Sequence, residues 1–211
     1  MAHHHCHGGE DGHGGHHHHD HGEDPAVKFS LYTKIDTERV MCWNEAEEGS
    51  GRTVFTAWED RMDRDEMVES DVDPELLFHI PFTGSVKLKG VVVIGGEDEQ
   101  HPKELRLFKN RPPNGFDQVQ GQPEQTIQLS HDYTGSVEYP TMVSRFNSVS
   151  SLLMYFPVNY GAETSIIYYI GLYGEYSVAH RHGVTIATYE ARANPADHKI
   201  TDHTPAGSFV S

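Results

Sequence analysis

The residues best equipped for chemistry in this chain are histidines, and most of them sit together. Residues 1–24 hold ten of the 17 histidines, mixed with Gly, Asp and Glu. His3, His4 and His5 precede Cys6 and His7, and His16, His17, His18 and His19 form a second run. Neutral imidazole ligates zinc, copper and nickel, and a thiolate between imidazoles adds a soft donor. These nine residues are the candidate metal ligands. So polar a segment has no apolar surface to bury, so it is expected to be disordered. A tail of that kind wraps divalent ions without presetting a geometry, and little selectivity among metals is expected.

Elsewhere chemistry is sparse. His180 and His182 would share one face of a strand, but no third metal ligand lies near them in sequence. Ser130, His131 and Asp132 have the residue types of a hydrolytic triad, yet neighbours on a strand point to opposite faces. His79 lies in an apolar run and reads as a sheet-surface residue. Cys42, between Met41 and Trp43, reads as an inert buried thiol. The chain has no CxxC, GxSxG, HExxH, P-loop or GxGxxG motif. The expectation is a protein without enzymatic activity or a bound cofactor. Two acidic groups remain, Glu69, Asp71 and Asp73, then Glu97, Asp98 and Glu99. Acids in turns can hold a structural calcium or simply face water. With Lys87 and Lys89, the first group forms the candidate interaction surface.

The chain has 211 residues, 32 acids against 16 bases, and a formal charge of −16. Five of the acids lie in the tail, which has no Lys or Arg, so the body carries −11. Such a charge repels phosphate backbones and anionic membrane surfaces. Neither nucleic acid nor membrane is an expected partner; basic proteins and cations remain open, and the charge also serves solubility. No apolar run approaches the length of a membrane span, and the first residues lack the apolar stretch of a signal peptide. Two cysteines make no disulfide framework. The expected location is the cytoplasm and nucleus.

Periodicity in the body is two rather than 3.6. The expected layout is a His/Gly-rich tail over 1–24, one domain over 25–194 and an extension over 195–211. Even positions are apolar in Leu76–Ile80, and Pro81-Phe82-Thr83-Gly84 reads as a tight turn. Val86 and Leu88 then alternate with Lys87 and Lys89, and from Gly90 to Ile94 both faces are apolar. Further strands are expected at 39–43, around Leu105 and Leu107, around Ile127 and Leu129, at 152–156, at 166–173 as a central strand, and around Val184, Ile186 and Thr188. Only residues 56–67 look like a short helix. Many short strands between Gly/Pro breakers predict an all-β fold, an antiparallel β-sandwich or jelly roll.

Several segments in order resemble one family. They are LYTKID, the Asn44-Glu45 pair, ESDVDPELLFHIPFTGSVKLKG from Glu69, LRLFKN ending at Asn110, YYIGLYGEY and VTIATYEARANPADHK. Together they span nearly the whole body and resemble the PITH domain, the C-terminal proteasome-interacting domain of thioredoxin-like proteins. The resemblance implies a galactose-binding-like β-sandwich and association with the 26S proteasome. It carries no residue-level motif for that contact. The two-domain relatives also have a thioredoxin domain with a CxxC pair. This chain has neither, so redox activity does not transfer and a binding domain remains. A role in transcription or differentiation is a further implication for stand-alone members. The competing reading is a jelly-roll module for a small ligand such as a sugar, with Trp43, Trp58, Tyr133 and Tyr139 as stacking surfaces; a glycan array without hits would remove it.

The tail itself makes a testable device. With a histidine pKa near 6.5, its ten rings carry roughly +2.5 at pH 7 and roughly +7.5 at pH 6, against five carboxylates. A peptide of residues 1–24 should therefore reverse its electrophoretic mobility between pH 7.5 and 5.5. Unchanged sign across that range would sink the idea.

Overall fold

A computed structural model of the chain describes residues 29–178. The histidine tail, the His180–His182 pair and the strand expected around Val184 lie outside the described residues. Eight strands run in chain order: β1 Met41–Trp43, β2 Val68–Glu69, β3 Leu76–Gly95, β4 Glu104–Lys109, β5 Gln125–Gln128, β6 Tyr139–Pro140, β7 Val149–Phe156 and β8 Ile166–Ser177. All pairings are antiparallel. The only helical elements among the described residues are short 3₁₀ turns.

β3 organises the rest. Its first half pairs with β1 through residues 77–79 and with β7 through 76–81. Its second half pairs with β8 through 85–95 and with β6 at Gly90 and Val91. One ladder thus holds two layers, β1-β3-β7-β4-β5 and β2-β8-β3-β6, which share β3. A 20-residue strand at about 3.3 Å per residue would run about 66 Å if straight. A 150-residue domain has a radius of gyration of about 15 Å, hence a diameter of about 40 Å. The strand therefore has to bend, as strands that switch sheets do at bulges.

The bend lies where the sequence suggested a turn. Pro81 pairs with Ser151 but Val86 pairs with Val149, so β3 carries three extra residues there. Pro81-Phe82-Thr83-Gly84 is a bulge within one strand, not a hairpin. Phe82 and Gly84 keep the inward parity, and both are buried. A Cβ at Gly84 would lie 2.6 Å from the Ser177 carbonyl oxygen, so only glycine permits that approach.

A second bulge explains the change of pattern at Gly90. Leu88 pairs with Gly174 and Gly90 with Tyr173, which leaves Lys89 as an extra residue. Parity flips, so the residues facing the main core are Val86, Leu88, Val91 and Val93. Val92 and Ile94 now face outward, where Tyr169, Tyr173, Trp58 and Tyr168 cover them. Leu77 faces outward on the first layer beneath Trp43, Phe108, Phe116, Val119 and Tyr155. Between the layers Phe78 packs edge-on against Phe55 (6.1 Å) and Phe156 (5.8 Å). The expected antiparallel sandwich is present.

Three local expectations change. The first strand begins at Met41 because Thr37–Arg39 forms a 3₁₀ turn. Residues 56–67 make only the 3₁₀ turn Trp58–Asp60, since the Trp58–Arg61 spacing serves a guanidinium stacked 3.9 Å from the indole. β8 runs on to Ser177, and it has a full-length strand partner on one edge only.

Candidate functional site

Asn44 and Glu45 follow β1 and build the ground around Glu69. Asn44 adopts a left-handed φ of 66°, which asparagine tolerates. Its Nδ2 is shared among the Asp73 carboxylate (2.9 Å), the Asp73 carbonyl (3.2 Å) and the Glu75 carbonyl (2.7 Å). Its Oδ1 accepts from Val72 N–H, and its carbonyl accepts from Asp71 N–H. One side chain thus pins the whole acidic turn to the end of β1. Glu45 works in the other direction. Its carboxylate accepts from Gly49 N–H (2.8 Å) and Gly51 N–H (2.6 Å) and so shapes the 3₁₀ turn Ser50–Arg52. A Cβ at Gly51 would fall 2.3 Å from the Cβ of Cys42, so the turn closes directly onto that half-buried thiol. Burial, then the Glu45 charge, pushes the Cys42 thiol far above its usual range and disfavours the thiolate.

These two residues bring together acids that are distant in sequence. Ala46 N–H donates to the Glu69 carbonyl (2.9 Å), and Glu45 bridges to Ser70. Between the two segments lies an open groove of about 730 Å³, lined by Glu47, Glu48, Asp65, Glu66, Met67 and Glu69, with Arg52 as its one cation. Glu47, Glu48, Asp65 and Glu66 are exposed. Of the acids expected to form a surface, Glu69 lines this groove and accepts from Thr164 Oγ1 (2.7 Å). Asp73 is spent on Asn44 and on Glu75 N–H (3.0 Å), and Asp71 stands exposed. Sequence reasoning missed the four exposed acids, although Glu47-Glu48 and Asp65-Glu66 flank the glycine-rich breaker and the Met67–Glu69 segment.

Lys87 and Lys89 do not join that surface. Both pair with Glu175, at 3.5 Å and 2.5 Å, and Lys89 also lies over the Phe29 ring. Lys89 chiefly, then Lys87, holds the exposed Glu175 carboxyl below its usual range. The registers Glu69↔Ile166 and Lys87↔Glu175 set the two groups nine positions apart along β8, about 30 Å of strand. The five residues expected to form one surface are therefore two surfaces.

The triad residues are likewise separated. Ser130 Oγ meets the Tyr139 hydroxyl (3.2 Å), and His131 stacks on Tyr160 (4.0 Å) with Nε2 donating to the Asp98 carbonyl (2.9 Å). Asp132 is buried, and burial alone would raise its carboxyl. Backbone N–H donors from Val137, Thr134, Ser136 and Gly135 outweigh that and hold it low. His101, fully buried, donates from Nδ1 to the Pro102 carbonyl (2.7 Å) and accepts at Nε2 from Asp132 N–H (3.2 Å). It ties the 98–102 loop to the 130–137 loop. The aromatic residues of the sugar reading do not converge: Trp43 lies on the outer face of one layer and Trp58 on that of the other, while Tyr139 is buried. Among the described residues no three His, Cys, Asp or Glu side chains lie close enough together to hold a metal ion.

The family model described as the PITH domain matches residues 21–193. PITH domain-containing protein 1 of Xenopus laevis is 52% identical over 211 residues, the whole of both chains. The protein of the same description from Dictyostelium discoideum is 36% identical over 180 residues, covering 85% of this chain and 89% of its own. Among solved structures, CBM32-3 from a family 31 glycoside hydrolase of Clostridium perfringens aligns with 72% of this chain and 99% of its own, at 13% identity and a TM-score of 0.47.

His101 and His79 together set a pH dependence. Burial lowers both pKa values below 6.5, with His131 adding to it at His101 and Arg39 at His79. The unfolded chain then takes up these protons first, so the stability they contribute is present above pH 6.5 and lost as pH falls through the folded values. In ring-proton NMR the two residues should titrate below the tail histidines, and the urea midpoint should be lower at pH 5.5 than at 7.5. A His101 midpoint at or above 6.5 would contradict this.

Proposed function

Because the chain belongs to the PITH domain family, we propose that it is a non-enzymatic protein-interaction domain that docks a basic segment of a partner in the groove between Ala46–Thr53 and Asp65–Glu69. The partner we propose is the 26S proteasome, met in the cytoplasm and nucleus, with regulation of transcription or differentiation as a downstream role. The observation that carries this reading is the division of labour among the acids. Glu45, Asp73 and Asp132 are committed to backbone N–H groups inside the fold. Glu47, Glu48, Asp65 and Glu66 are left to solvent around a groove that also offers the exposed side chain of Met67. Clustered exposed charge of one sign steers a complementary partner and sets its on-rate. A methionine beside it supplies an adaptable apolar contact. The net charge of −16 favours the same basic partner and disfavours nucleic acid.

Affinity purification of tagged full-length chain, read by mass spectrometry, tests both parts. The native sequence should recover proteasome subunits, and the variant with Glu47→Gln, Glu48→Gln, Asp65→Asn and Glu66→Gln should recover at least about fourfold less, from four exposed charge contacts at about 0.2–1 kcal/mol each. Recovery of no subunits, where a two-domain thioredoxin-like relative recovers them, counts against the partner. Equal recovery by the variant counts against the groove.

A further inference from the structure

A second cleft opens on the outer face of the first layer, next to the acidic groove but different in chemistry. Met41, His79 and Leu153 lie side by side across β1, β3 and β7. The adjoining row of Trp43, Leu77 and Tyr155 is roofed by Phe116 and Val119. In the Met41-His79-Leu153 row, Leu153 joins that roofed cluster while Met41 at the other end stays exposed. Beside it is a cleft of about 400 Å³ walled by Val40, Met41, Pro81 and Pro113, with Arg39 and Arg52 at its edge. An apolar cleft with a few polar groups converging on it is the common form of a binding site.

Two features say what fits. The His79 side chain lines the cleft and is only 8% exposed, yet its Nδ1 has no hydrogen-bond partner among the described residues. Leaving such an atom unpaired is costly, and because the atom itself is closed off, a ligand removes the cost by turning the ring toward the cleft. Burial keeps the ring neutral near pH 7, so it bonds as an uncharged donor or acceptor. Of the two guanidinium groups, Arg39 is engaged by Asp36 at 2.6 Å, whereas Arg52 forms no ion pair among the described residues. Glu38 also lines the cleft and opposes a doubly charged anion such as phosphate. The favoured ligand has one negative charge, a planar pair of oxygens for a guanidinium fork, and an apolar body beside them.

We propose that this cleft binds the C-terminal residue of a peptide chain. The carboxylate pairs with Arg52, an aliphatic side chain packs against Met41, Pro81 and Pro113, and the last peptide group or carboxylate satisfies His79. Arg52 borders both this cleft and the acidic groove, so Arg52→Gln bears on both, whereas the acid-against-amide comparison and the His79 ring shift read this cleft alone.

The test is titration of the full chain with N-acetyl-Ala-Ala-Ala-Leu bearing a free carboxylate, followed by the ring resonances of His79. A saturating shift is expected. The C-terminal amide of the same peptide should bind about tenfold more weakly, and Arg52→Gln should weaken the free acid by a similar factor, as loss of one charge-assisted hydrogen bond implies. Arg52 is exposed, so the variant is expected to fold; unchanged ring resonances of buried His101 verify it. Absence of a saturating shift overturns the proposal. So does equal binding of acid and amide, or inorganic phosphate competing as strongly as the peptide.

Discussion

The shared strand Leu76–Gly95 is the constraint on which the rest depends. A strand that belongs to two sheets has to satisfy two sets of edges and two sides of one core, and it can do so only by bending. The three-residue bulge after Pro81 and the single extra residue at Lys89 provide the bend and reset which side chains face inward. Every large apolar cluster then follows from β3. Phe78 and Leu88 fill the space between layers, Leu77 anchors one outer cluster, and Val92 with Ile94 anchors the other. Replacing Phe78 by alanine would open a cavity in the main core beside Phe55 and Phe156, a class of change that costs about 3–5 kcal/mol.

The candidate surfaces inherit their positions from that strand. β1 is held only along residues 77–79 of β3, and its last residues lead directly into Asn44 and Glu45. Those two side chains fix the turns on either side of them through hydrogen bonds to main-chain groups. Five carboxylates can crowd one groove because the scaffold beneath them rests on neutral and backbone partners rather than on the charges themselves. Repulsion among exposed acids is weak in water and is screened further by salt. A fold arranged in this way tolerates concentrated surface charge and keeps it available to a partner.

Much of the fold was legible from local pattern. Alternation in Leu76–Ile80 and in Val86–Lys89 identified core faces correctly, and the loss of alternation at Gly90 marked the point where the outer face also becomes covered. Pro81–Gly84 misled because a bulge and a hairpin use the same residues; only pairing with β7 and β8, 63 to 92 residues away in the chain, distinguishes them. The site was less legible. Glu69 was recognised, but Glu47-Glu48 and Asp65-Glu66 meet through the Ala46–Glu69 hydrogen bond and the Glu45–Ser70 bridge, which no spacing rule reveals. Lys87 and Lys89 were grouped with the acids by nearness in sequence, although the β8 register carries them to the far end of the sheet. The unpaired ring nitrogen of His79 depends on what covers a strand, and an apolar run does not disclose that.

The most direct measurement of the central claim, that this PITH-family sandwich docks through its acidic groove, is a hydrogen–deuterium exchange footprint of the full chain with and without purified 26S proteasome. Amide exchange should slow over residues 46–53 and 65–69 on binding, while the β3 and β8 segments that carry Lys87, Lys89 and Glu175 stay unchanged. Protection confined to those lysine-bearing segments, with the groove exchanging as in the free chain, would contradict it.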